Sequence, residues 1–150
     1  MRLFQLLATR PESTTILIRL MIGAVFLSEG IQKILFPEKV GAGRFAKIGL
    51  PNPEFLAPFV ASFEITCGLL VLIGLMTRLA SLPLLAIMIV AILTTKVEIF
   101  SRDGFWEMMH ASRTDWAMLL GSAFLLIRGG GRWSVDRGWI ERIINRPETK

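Results

Sequence analysis

Between Arg78 and Lys96 the chain carries no ionisable side chain. A charge-free run from Leu79 to Thr95 reads as a bilayer-crossing helix, and two further apolar stretches, about residues 15–36 and 55–75, accompany it. At 1.5 Å per residue the first of these reaches about 33 Å, enough for a hydrocarbon core of ~30 Å. Composition agrees. The chain is 53% hydrophobic and 19% charged, whereas a soluble domain sits nearer roughly 45–50% and 25%. Charge collects at the flanks of the apolar stretches and in an arginine-rich C-terminal tail. The chain therefore reads as an integral membrane protein.

Connections set the order of the helices. Pro37 ends the first segment, and the glycine- and proline-rich stretch Glu38 to Glu54 reads as a loop with one helical turn around Arg44–Ile48. Pro58 is expected in the first turn of the second segment, where proline is tolerated. Met76-Thr77-Arg78 is a very short connection, which makes antiparallel neighbours of the second and third segments. The third segment spans about 79–95, and Lys96 to Ser112 is expected as an ordered interfacial loop. Trp116 to Ile127 is too short to cross alone. A span of about 113–128 is reached if Asp115 lies within the membrane region and Arg128 snorkels.

Gly129-Gly130-Gly131 stops the fourth helix, and Ser134 is placed to cap a last one. In that last helix Trp139, Ile140, Ile143 and Ile144 share a face, Arg137, Glu141, Arg142 and Arg146 lie mostly on the other, and Pro147 ends it. This is the pattern of a basic amphipathic helix lying on a membrane surface, with Met1 to Leu7 a weaker counterpart. The fold expected is all-α: one domain over residues 1–150, an integral membrane four-helix bundle with a C-terminal amphipathic interfacial helix. Gly23 and Gly30, Ser62 and Thr66, and Ala117 and Gly121 are expected at close helix contacts. The first segment has no cleavage pattern after it and is expected to stay as a signal anchor. Arginine and lysine, including Arg2 and Arg10, favour cytoplasmic termini.

The net charge is +5. Its basic residues flank apolar segments, so lipid headgroups and topology account for it, and no basic stripe for nucleic acid appears. Cys67 is the one cysteine, so a CxxC relay within the chain is excluded, and it reads as a small buried hydrophobe. Glu98, Asp103, Glu107 and His110 make no strong ligand pattern, so no metal site is expected.

Against this apolar background Glu29, Lys33 and Glu64 stand out. A charge near the bilayer centre costs roughly 2.5–3.5 kcal/mol, and such residues are functional candidates by default. Glu29 lies about 10 Å, and Glu64 about 14 Å, from the same outer end of the bundle, so their depths agree within a helical turn. Glu29 and Lys33 form an i,i+4 pair in the favourable order. The same end receives Lys96, Glu98, His110, Arg113 and Asp115. The expected pocket opens there, lined by Glu29, Lys33, Glu64, His110 and Asp115, with Trp106 and Trp116 as walls. Arg19, Arg78 and Arg128 are assigned to the inner half, each snorkelling to the interface. The pocket admits three readings: a helix-bridging salt link, a site that hydrogen-bonds a quinone-like headgroup or exchanges protons, or a transport path.

Several of these residues also carry a likeness. Arg19…Gly23…Glu29-Gly30…Lys33, then Gly49-Leu50-Pro51, then Glu64…Gly68-Leu69-Leu70…Gly74…Thr77-Arg78, then Ala91-Ile92-Leu93 and a closing Gly131-Arg132-Trp133-Ser134-Val135-Asp136 form an ordered set. Over roughly residues 15–137 it resembles the DoxX family of small four-helix membrane proteins. The resemblance implies an inner-membrane protein with a redox role, because that family includes subunits linked to thiosulfate–quinone oxidoreduction and to partner redox proteins. It marks Arg19, Lys33, Glu64 and Arg78 as positions of interest, Arg19 and Arg78 as structural charges, and carries over no catalytic set. The functional expectation is a redox-accessory subunit, an oxidoreductase component with a quinone-type ligand. The alternatives are a non-enzymatic scaffold or assembly partner and a small-solute carrier.

Overall fold

The computed structural model describes residues 13–144, with the backbone alone from 140 onward. Eight helices follow one another among these residues, and no strand. They are α1 (Thr15–Leu35), α2 (Pro37–Val40), α3 (Ala42–Lys47), α4 (Pro53–Ile73), α5 (Thr77–Asp103), α6 (Phe105–Ala111), α7 (Arg113–Arg128) and α8 (Val135–Ile144). Helices α1, α4 and α5 are long and apolar enough to cross a membrane. At 16 residues α7 is shorter, about 24 Å. Large apolar side chains face outward along all four, among them Leu17, Phe55, Leu69, Leu93 and Leu120. In water that surface would drive aggregation. In lipid it is the solvated face, and helices suit it because every backbone bond is made within the segment.

The bundle is built as two pairs. α1 packs most extensively on α4 and α5 on α7; α4 meets α5, and α1 meets α7 more lightly. Ile22, Phe26, Val71, Leu84 and Leu125 form the shared core. The α1–α4 contact is close because glycines remove side chains from it. A Cβ on Gly23 would lie 2.6 Å from Leu72 Cγ and 2.8 Å from the Gly68 carbonyl oxygen. On Gly30 it would lie 2.8 Å from the Ala61 carbonyl oxygen. Gly68 returns the favour from α4 against Leu27, and Gly121 takes Ile22 from α7. Ser62, Thr66 and Ala117 instead face outward, because small-xxx-small spacing selects a helix face without saying which face meets a neighbour. Gly23→Leu should therefore overpack the α1–α4 seam, costing about 1–3 kcal/mol or more. The thermal midpoint in detergent should fall clearly below that of Ala24→Leu, whose site is exposed; equal midpoints would mean the seam yields.

The inner end is closed by long-range capping. Gly74 (φ 72°) ends α4 in a Schellman motif: Leu75 N–H donates to the Leu70 carbonyl and Gly74 N–H to that of Val71. α5 starts three residues later, and its leading N–H groups at Met76 and Thr77 both donate to the Asp136 carboxylate. Asp136 N–H in turn donates to the Gly74 carbonyl. Ser134 accepts from Arg137 N–H at the start of α8. Arg78 reaches the Ile127 carbonyl near the end of α7 at 2.7 Å.

Arg19 does not snorkel. It is 2% exposed, and its guanidinium donates to the carbonyls of Val71 (2.9 Å), Leu72 (2.6 Å), Gly130 (3.1 Å) and Trp133. Two of these acceptors lie in the last turn of α4: Leu72 has no intrahelical donor, and Val71, which already accepts from Gly74 N–H, takes a second bond. That demand outweighs the pull of the interface on a long cationic side chain.

Two further expectations shift. The loop expected over residues 96–112 is helical: α5 continues to Asp103, turns at Gly104 (φ 87°), and α6 follows at once. Hydropathy falls at Lys96, but no glycine or proline interrupts the chain before Gly104. Polarity marks where a helix leaves lipid, not where it ends. α4 starts two residues earlier than expected, at Pro53, which puts Pro58 inside the helix. The C-terminal helix exists as α8. Ile140, Glu141, Arg142, Ile143 and Ile144 have side chains outside the described residues, and Arg146, Pro147, Met1 to Leu7, Arg2 and Arg10 lie outside them altogether.

Candidate functional site

Gly30 decides where the buried charges meet. With no side chain there, α1 lies against Ala61 and Glu64 of α4. One turn later Lys33 points back along its helix toward that contact, as helical side chains do. Lys33 Nζ lies 2.8 Å from Glu64 Oε2 and 3.0 Å from Oε1. Glu29, on the same face of α1, approaches Lys33 at 3.7 Å. Glu64 is nearly sealed, its side chain 4% exposed, while Glu29 is 48% exposed. Lys33 is thus chiefly a bond between helices, with Glu29 at its open side.

A second pair stands on the other helix pair. Lys96 of α5 lies 3.1 Å from Asp115 Oδ2 and donates to the Ala111 carbonyl at 3.0 Å. Asp115 sits in the first turn of α7, where the helix dipole favours a carboxylate. Lys96 has two acceptors for three N–H donors, which leaves one to offer.

A cavity of about 480 Å³ lies between the two helix pairs and reaches both ion pairs. Its volume is that of a small-molecule site. The α3 segment roofs it through Phe45, Ile48 and Leu50, packed on α4 by way of Ala42, Ala57 and Leu56. Lys33, Lys96 and Arg44 face the cavity together with Glu29, Glu64 and Asp115, three cations against three carboxylates. The lining is therefore charged but balanced. Thr94 and Thr95 also line it, with hydroxyls donating to helix carbonyls (2.8 and 2.6 Å), so only their oxygen lone pairs are free for a ligand.

Four of the five expected lining residues, Glu29, Lys33, Glu64 and Asp115, are brought together here. His110 is not. It is exposed on α6 and contacts Arg113. Trp106 is 82% exposed, and neither it nor Trp116 lines the cavity. The misplacement of His110 and Trp106 follows from reading residues 96–112 as a loop that can fold inward; as helix α6 the segment turns them away, while Trp116 sits on a face of α7 that does not meet the cavity. The sequence reading also omits Lys96 and Arg44 from the lining. Lys96 has a recoverable signal, since it directly follows the charge-free run and no glycine or proline stands between it and Gly104.

Comparison with known proteins adds a family frame. The family model described as DoxX matches residues 14–97, a stretch that holds Glu29, Lys33, Glu64 and Lys96 and stops short of Asp115. A protein of Mycobacterium tuberculosis named "Uncharacterized membrane protein Rv3486" is 50% identical over 139 residues, which cover 89% of this chain and 85% of that protein. A Bacillus subtilis protein named "Putative oxidoreductase CatD" is 31% identical over 126 residues, covering 83% of this chain and 86% of that protein. No solved structure matches the chain.

Proposed function

This chain belongs to the DoxX family, and from that premise we propose that it is a redox-accessory membrane protein whose outer cavity binds a neutral, quinone-type headgroup. The observation that carries the reading is the charge-balanced cavity, with Lys33–Glu64 on one helix pair and Lys96–Asp115 on the other. A ligand with net charge would upset that balance in low dielectric, whereas a neutral ring with oxygen acceptors takes hydrogen bonds without doing so. The unused N–H of Lys96 supplies one such bond, and apolar side chains supply the ring contacts. The name of the Bacillus subtilis relative points the same way. A bound quinone headgroup would supply the redox chemistry, and the residues lining the cavity would hold and orient it. On this reading α7 completes a fourth span, the membrane is the inner one, the termini are cytoplasmic, and a partner redox protein supplies electrons.

Calorimetry of the purified protein with a short-chain para-quinone tests this. Saturable binding is expected, weakened about tenfold in Lys96→Met, the equivalent of roughly 1.4 kcal/mol, and unchanged in His110→Ala. No binding by the parent protein would end the proposal.

A second reading has its own observation. The Lys33–Glu64 bond joins the two helices that Gly30 brings together, as a packing device in a non-enzymatic scaffold would. Quinone binding untouched by changes at Lys96, Lys33 and Glu64 would favour it.

A further inference from the structure

The cavity wall on α5 changes chemistry along its length. Ala86, Ile87, Val90 and Ala91 line it first, then the hydroxyls of Thr94 and Thr95, then the ammonium of Lys96. Of these, Ala86 and Val90 are also exposed on the outside of the molecule, Val90 at 51%. They lie about 14 and 20 Å along α5 from Thr77, near the middle of an apolar helix, and Leu82, Ile89 and Leu93 on the same helix face outward. At this point the cavity lining and the lipid-facing surface are continuous. α4 and α5 are tied at their inner ends by the Gly74–Met76 turn and the Asp136 cap. Farther out, each packs chiefly on a different partner, α1 or α7.

From this we infer that the cavity opens sideways into the bilayer at Ala86 and Val90, and that its ligand is a membrane-dissolved amphiphile. The polar head lies at the Lys33 and Lys96 end, and the apolar tail runs out past Ala86 and Val90 into lipid. The inference rests on the reading of the cavity as a headgroup site. It adds the physical class of the ligand and its route of entry. The gradient along α5 matches such a molecule end to end: charged and hydroxyl partners for the head, aliphatic ones for the start of the tail. A water-soluble ligand has no use for an apolar opening at mid-membrane depth, because reaching it would require crossing hydrocarbon.

The test uses full-length protein in phospholipid nanodiscs, with two para-quinone probes, one without a tail and one with a long isoprenoid tail. In Ala86→Phe and Val90→Trp, the bulkier side chains narrow the opening while staying apolar toward lipid. In both variants association of the tailed probe should slow at least tenfold relative to that of the tail-less probe. Equal binding of both probes in parent and variants would overturn the lateral route. So would an equal loss of both probes. A photoreactive group on the tail gives an independent readout in the unsubstituted protein, with cross-links expected in the peptide containing residues 86–90. Cross-links confined to residues 41–50 would overturn the inference. Failure of the tail-less probe to bind the parent protein would instead remove the headgroup reading itself, and the inference with it.

Discussion

Arg19→Ala is expected to lower the thermal midpoint of the detergent-purified protein by on the order of 10 °C, from a loss of roughly 3–5 kcal/mol. The side chain is 2% exposed and holds four carbonyls from two distant parts of the chain, Val71 and Leu72 at the end of α4, Gly130 and Trp133 after α7. Removing it strips the Leu72, Gly130 and Trp133 carbonyls of this donor, each costing about 1–3 kcal/mol where no water replaces the lost partner, while Val71 keeps Gly74 N–H. Arg19→Lys should recover only part of the loss. One ammonium cannot reproduce three nitrogens held in a planar fork. The segment from Gly130 to Asp136 should loosen first, because Arg19 holds its start while Asp136, bonded to Gly74, Met76 and Thr77, holds its end. Hydrogen exchange across residues 129–139 would register this. A midpoint shift of only a degree or two, or full rescue by lysine, would show that the clamp contributes little.

The second large effect is expected at the α1–α4 ion pair. Glu64→Leu strands the Lys33 ammonium, 11% exposed, in an apolar setting, and should cost about 3 kcal/mol. That is the lower end of the range for breaking a buried pair, because Glu29 at 3.7 Å takes up part of the charge. Lys33→Met combined with Glu64→Leu should return to within about 1 kcal/mol of the parent, since an apolar replacement removes both the attraction and the desolvation cost. The two roles of the pair then separate. Stability recovers in the double variant, whereas binding of a short-chain quinone stays lost in both. Recovery of stability together with binding would mean that the pair only packs helices. Lack of recovery would mean that the coupling between Lys33 and Glu64 is weak.

The meeting of Glu29, Lys33 and Glu64 was legible from sequence because depth along a helix is arithmetic. A fixed rise per residue and a shared outer end place them at one level before any packing is known. Asp115 follows from the same logic. His110, Trp106 and Trp116 do not, because the direction a side chain takes around its helix depends on which neighbours that helix meets, α6 for the first two and α7 for Trp116. Lys96 was hidden by the same 96–112 segment: taken as a loop, it left the lysine just past a helix end, not in the wall of a cavity.

Hydropathy, helix breakers and charge placement were enough to establish a membrane protein, its three long apolar helices and the depth of its buried charges. These quantities are read along one dimension, and the bilayer and the helical rise convert them directly into space. Packing alone decided that Gly23, Gly30 and Gly68 make the seam while Ser62 and Thr66 face outward. It also decided that Arg19 turns inward to unite segments more than fifty residues apart, and that two ion pairs from separate helix pairs share one cavity. Rotation about a helix axis and contact between distant segments leave no periodic trace in the chain, so only the assembled bundle settles them.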